Sequence, residues 1–161
     1  PTPPPPPPTA PPGGPRKTAR VRATGADNAI DYTDPGWPAE VRAGSGPVTV
    51  GLDGVGGDVA REAVALLGGG GRHLVFGWSA EGIASGGGHV VEGLTEFALG
   101  PAMLRRTGGP DPLRTLELRA LAEAAHGRLR PALTRFPLAE AEAAHRALEN
   151  RATIGKVVLE P

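Results

Sequence analysis

Between Val48 and Asp53 the chain reads V-T-V-G-L-D, an almost continuous apolar run. Such a run predicts a strand of a parallel sheet, covered on both faces. A glycine turn follows, and behind Asp58 the residues Val59, Ala60, Ala63, Val64 and Leu67 recur at helical spacing. That pattern predicts a helix with Asp58 as its cap. Gly68 to Gly71 stop it, and Arg72 to Phe76 form the next strand. Strand, helix and strand in this order predict a crossover between parallel neighbours. Upstream, "RKTARVRAT" at 16–24 is a short basic helix, Ala29 to Asp31 a brief strand, and "DPGWPAEVRAGSG" a loop and helix ending at Gly44. Downstream, 78–93 is a glycine-rich connector and 95–99 a strand. Asp111 and Pro112 open a helix with Leu118, Leu121, Ala122 and Ala125 on one face. "RPALTRF" is extended, and Pro137 opens a last helix striped by Leu138, Ala141, Ala144 and Leu148. "GKVVLE" ends as a strand. The alternation is that of an α/β protein.

Composition narrows the picture. The first fifteen residues, PTPPPPPPTAPPGGP, lack most backbone donors and predict an extended or disordered Pro-rich segment outside the packed core. The other residues of the 161 suffice for one core. Seventeen acidic and seventeen basic residues balance, so no charge footprint points to nucleic acid or an anionic membrane. No cysteine is present, which excludes disulfides and thiolate metal sites. No apolar run is long enough to span a bilayer, and no signal-peptide core begins the sequence. A cytoplasmic setting is the expectation.

The turn after Asp53 reads Gly54-Val55-Gly56-Gly57-Asp58-Val59. It stands where a dinucleotide-binding G-x-G-x-x-G would, between a strand and a helix. The third glycine, which lets helix and strand pack closely, is a valine here. Asp58 puts a carboxylate at the helix start that would bind phosphate. Glu81, near the spacing of the usual ribose contact, falls after the next strand has ended. Two readings follow: a pyrophosphate cradle, or an ordinary tight βα turn. Asp53 could serve as an acid or base, or accept hydrogen bonds from its own turn. His73, His89, His126 and His145 lack metal-ligand spacing. Ser45 and Ser79 have no evident base partner.

"GADNAIDYTD", "VTVGLDGVGGDVAREAVALLGGGGRHLVFG" and "GRLRPALTRFPLAEAEAAHRALENRATIGKVVLEP", in this order, resemble the C-terminal half of the medium-chain dehydrogenase/reductase superfamily, and within it the quinone oxidoreductase-like branch. The resemblance runs from about Arg16 to the end. It implies a partial doubly wound parallel sheet, Rossmann-like and lacking its first two strands, over 16–161, behind a Pro-rich, disordered N-terminus at 1–15. It also maps the Gly54 turn onto the family's fourth strand, near the nicotinamide ribose. The phosphate cradle then belongs before residue 16, where prolines stand.

The cofactor-binding residues implied by the resemblance are Lys17, Tyr32, Gly54, Val55, Phe76, Gly77 and Trp78. Lys17 matches a lysine that meets the 2′-phosphate of NADPH; read alone, it is a phosphate partner or a solvated surface lysine. Tyr32 matches a tyrosine on the adenosine side. Gly54 and Val55 match the turn beside the nicotinamide ribose, where small residues allow close approach. Phe76 and Gly77 match the carboxamide end of the fifth strand, and Trp78 follows them. The implied cofactor is NADPH or NADH, with no metal and no catalytic residue in this portion.

The resemblance thus implies a remnant of an NAD(P)H-dependent oxidoreductase. The intact enzyme would reduce quinones or α,β-unsaturated carbonyls by hydride transfer. It would act on small molecules, with a homodimer through the sheet edge near 95–99 and no nucleic-acid or membrane partner. The chain by itself is expected to be inactive and of low stability, with an exposed inner sheet edge. The alternative is a non-catalytic fragment or interaction protein whose P-x-x-P spacing is read by aromatic grooves.

Overall fold

The computed structural model describes residues 8–80, 90–98 and 100–161. Glu81, His89 and the centre of the glycine-rich connector lie outside them. The chain forms two compact units, Pro1–Gly108 and Gly109–Pro161.

The first unit begins with strand β1 (Thr9–Ala10), helix α1 (Pro15–Ala23) and strand β2 (Asn28–Ala29). From Pro8 onward the Pro-rich segment therefore does join the structure: β1 pairs in parallel with β2. The reason is that proline loses its donor but keeps its carbonyl. Asn28, Ile30 and Tyr32 donate their amides to the carbonyls of Pro8, Ala10 and Pro12, at 3.5, 3.2 and 3.0 Å. Prolines on an edge strand need only accept. The short strand around Ala29 is thus neither loose nor paired with Val48–Asp53.

Helix α2 (Trp37–Ser45) leads to strand β3 (Val48–Asp53), helix α3 (Gly57–Ala65), strand β4 (Leu67–Val75), strand β5 (Thr95–Phe97) and helix α4 (Pro101–Thr107). Strands β3, β4 and β5 form a parallel sheet in that order. Trp37 and Val41 from α2, Ile30 and Leu66 make the buried apolar cluster, with Tyr32, Val48, Val59 and Ala63 packed against it. Val59 thus fills with apolar bulk the place where the fingerprint needs its third glycine.

Three local expectations are corrected. The cap of α3 is Gly56, with φ +79°, and Asp58 sits inside the first turn, paired with Arg61. Gly68 to Gly71 lie within β4, where pairing jumps from Val48↔Leu67 to Val50↔Arg72. They form a bulge in a strand that begins at Leu67. The third correction concerns burial. Val50 is 53% exposed, Leu52 68% and Phe76 64%, so one face of this sheet is largely open.

In the second unit, helix α5 (Pro112–Ala125) starts as expected: the Asp111 carboxylate accepts from the Arg114 amide at 3.0 Å. Its Leu118 and Leu121 are exposed. Strand β6 (Leu133–Pro137), a 3-10 turn (Leu138–Glu140), helix α6 (Ala141–Glu149) and strand β7 (Lys156–Glu160) follow, with β6 and β7 parallel. Pro137 thus ends β6 instead of opening the last helix, and Leu138 falls in the 3-10 turn. Of the predicted stripe Ala144 is buried, while Leu138 and Leu148 stay exposed.

Candidate functional site

The seven sequence-predicted residues fall into two groups, both in the first unit. Lys17 lies in the first turn of α1, and Tyr32, beyond β2, comes against Gly13 just ahead of that helix. There the Tyr32 ring lies so close to Gly13 that a Cβ on that glycine would meet the ring's Cζ at 2.6 Å. Gly14, with φ +93°, turns the chain into α1 and donates its amide to Asp31 Oδ1 at 2.7 Å. The same oxygen accepts the Thr33 hydroxyl at 2.7 Å and the Thr33 amide at 2.9 Å. Gly14 first, then Thr33, hold the Asp31 carboxyl below its ordinary pKa. Lys17 is half-buried in the first turn of α1.

Gly54, Val55, Phe76, Gly77 and Trp78 meet at the carboxyl ends of β3 and β4, where open parallel sheets bind ligands. The Phe76 amide donates to the Asp53 carbonyl at 2.8 Å, the Ser79 amide to Gly54 at 3.3 Å and the Ala80 amide to Val55 at 2.8 Å. A Cβ on Gly54 would lie 2.7 Å from the Phe76 ring, and one on Gly77 would lie 3.1 Å from the Gly54 carbonyl oxygen. A side chain at either position would crowd this crest: at Gly54 it meets a movable ring, at Gly77 the backbone of the neighbouring turn. Trp78 follows, half-buried.

The turn itself does not offer a free anion seat. The amides of Val55 and Gly56 donate to Asp53 Oδ1 at 2.8 and 3.0 Å. The carboxylate fills its own nest of amides. The hydrogen bonding to its own turn expected of Asp53 is present. Of the two readings of the Gly54 turn, the ordinary tight βα turn fits.

Sequence reasoning missed the neighbour of Asp53. His73 on β4 is 1% exposed and Asp53 6%. His73 Nε2 lies 3.3 Å from Asp53 Oδ2, and Nδ1 lies 3.0 Å from Thr95 Oγ1 on β5. Thr95 Oγ1 in turn accepts the Val91 amide at 2.9 Å. The available signal was a histidine two residues from buried Val75 in a strand, on the same face, since a buried polar group demands partners.

A family profile described as "Zinc-binding dehydrogenase" matches residues 24–159, and the chain belongs to that family. Among solved structures it is similar to a quinone oxidoreductase of Escherichia coli complexed with NADPH (TM-score 0.71, 22% identity, 95% of this chain and 49% of that one). It is also similar to an NAD-dependent alcohol dehydrogenase (0.65, 26%, 95% and 43%) and a mycobacterial quinone oxidoreductase (0.65, 25%, 95% and 48%). The chain thus spans about half the length of these proteins. No curated protein matches it.

The family's description names zinc. Among the described residues no three His, Asp or Glu side chains gather as metal ligands, and the chain has no cysteine. The described residues do not fit a zinc site. Among the described residues no helix is long and apolar enough to cross a membrane.

Proposed function

We propose that this chain is the cofactor-binding portion of an NAD(P)H-dependent oxidoreductase that reduces quinones or other α,β-unsaturated carbonyls. The observation that carries the reading is the meeting of Gly54-Val55 with Phe76-Gly77-Trp78 at the carboxyl ends of adjacent parallel strands, in a chain of dehydrogenase family. When bound, the nicotinamide supplies a hydride equivalent to the substrate.

The protein's part is to bind and orient. The backbone at Gly54 and Val55 would border the ribose on the nicotinamide side, and the open crest at Phe76 and Gly77 would border the carboxamide. Trp78 would shield that end from water. Lys17, in the first turn of α1, would serve the adenosine end, where its ammonium suits a 2′-phosphate and favours NADPH. Tyr32 would border the same end. No side chain of this portion is assigned to proton transfer. β5 is an edge of the three-stranded sheet, and a homodimer through it is part of the proposal.

NADPH titration of the Trp37→Phe chain, followed by Trp78 fluorescence, tests the reading. Trp37 is buried in the core cluster, so its removal isolates the reporter at the site. A saturable change that weakens in Lys17→Ala for NADPH but not for NADH is expected. A flat titration with both cofactors would reject the reading.

A further inference from the structure

The structure leaves His73 without a part in that reading, although it is the most completely enclosed polar side chain beside the turn. Its two nitrogens are both engaged, and the chemistry of the partners dictates the proton's position. Asp53 Oδ2 accepts, so Nε2 carries the hydrogen. In the neutral ring Nδ1 then accepts, and the Thr95 hydroxyl donates to it. That leaves the Thr95 oxygen to accept the Val91 amide. On the other side Asp53 Oδ1 receives Val55 and Gly56. Each donor in the row meets an acceptor, and among the described residues no buried side-chain nitrogen or oxygen is left unpaired.

We infer that His73 is a positioning residue for the nicotinamide end of the site. Held between Asp53 and Thr95 with its Nε2–H on the carboxylate, it fixes the carboxylate that shapes the Gly54–Gly56 turn and ties that turn to the Val91–Thr95 segment. The part played at the nicotinamide end rests on the function proposed above; the tie between turn and segment does not. His73 is not a catalytic residue: with 1% exposure and both nitrogens occupied, it reaches no substrate atom. Its effect runs through Asp53. Without the histidine one oxygen of a buried carboxylate would lose its partner, and the group would turn in search of another. The amides of Val55 and Gly56 would then lose a fixed acceptor, and the turn its single shape.

Three measurements on the full chain test this. Nitrogen NMR of the imidazole should show Nε2 protonated; a ring whose Nε2 carries no hydrogen overturns the inference. Thr95→Val, which touches neither Val55 nor Gly56, should speed hydrogen exchange at both amides about tenfold relative to α1, and Thr95→Ser should restore it. A tenfold change corresponds to about 1.4 kcal/mol. Exchange that stays at the wild-type rate, or rises equally throughout the unit, overturns the inference.

The third measurement is NADPH affinity in His73→Phe and His73→Gln. Glutamine offers Asp53 an N–H and Thr95 an oxygen, so it should bind near the wild-type level, whereas phenylalanine should bind about tenfold more weakly. Equal affinity of wild type and His73→Phe overturns the positioning role. If the wild type itself binds no NADPH, the proposed function fails, while tautomer and exchange still decide whether His73 holds the turn.

Discussion

At the scale of single residues, the site is defined by backbone proximity more than by reactive groups. Gly54 and the Phe76 ring share one space, and a Gly54→Ala methyl would enter that ring's volume. Because Phe76 is mostly exposed, its ring has room to swing aside, so a loss of only about 1 kcal/mol is expected, at the low end for overpacking. Adding Phe76→Ala should recover that loss in thermal melts. Gly77→Ala meets backbone instead, and Phe76→Ala should leave its cost unchanged. Asp31 makes a second residue-scale case. Its pKa is lowered in the folded state by the Gly14 amide, then the Thr33 hydroxyl and amide. A lowered carboxyl pKa means that the unfolded chain binds protons more readily. The stabilisation is therefore complete above the ordinary carboxylate range and fades as pH falls through the lowered value. NMR titration should find the Asp31 carboxyl below the ordinary range, and Asp31→Asn should lose that part of the acid dependence of α1 unfolding.

At the scale of elements, the unusual piece is β1. A strand flanked by prolines works here because its partner, β2, supplies the donors. Pro8, Ala10 and Pro12 need only offer carbonyls to Asn28, Ile30 and Tyr32. Deleting residues 1–12 should destabilise the first unit by about 1 kcal/mol for each bond lost, with Ile30 the most affected because it is buried. Amide exchange at Ile30 and Tyr32 checks this; unchanged rates would mean the contact adds nothing in solution. The glycine run of β4 is legible only at this scale as well. Four glycines look like a helix stop in sequence, and they do follow the end of α3. Pairing with β3 turns them into a bulge, because a sheet partner for Leu67 was already in place.

At the scale of the whole molecule, the open sheet face matters most. Val50, Leu52 and Phe76 form an exposed apolar surface on one side of β3 and β4, and β3 is an edge of its sheet. Such surfaces drive association or bind apolar dyes. Leu52→Lys should reduce dye binding and concentration-dependent light scattering while leaving the unfolding free energy within about 0.5 kcal/mol of wild type, as for other exposed positions. A large fall in melting temperature would mean that Leu52 is covered in solution.

Periodicity alone determined much of this protein. Apolar runs and helical spacing marked β3, α3 and the later half of β4, and side-chain chemistry marked the Asp111 cap. Those signals are local, carried by residues close in sequence. The ordered phrases from "GADNAIDYTD" to "GKVVLE" pointed to the dehydrogenase family that the match over 24–159 establishes. Tertiary structure decided the rest. A continuous apolar strand reads as buried on both faces, yet burial depends on what packs above it, which spacing along the chain does not encode. The row from Asp53 through His73 to Thr95 joins residues 20 and 22 positions apart. Only the parallel register of three strands brings them within hydrogen-bonding distance, and only burial makes their pairing necessary.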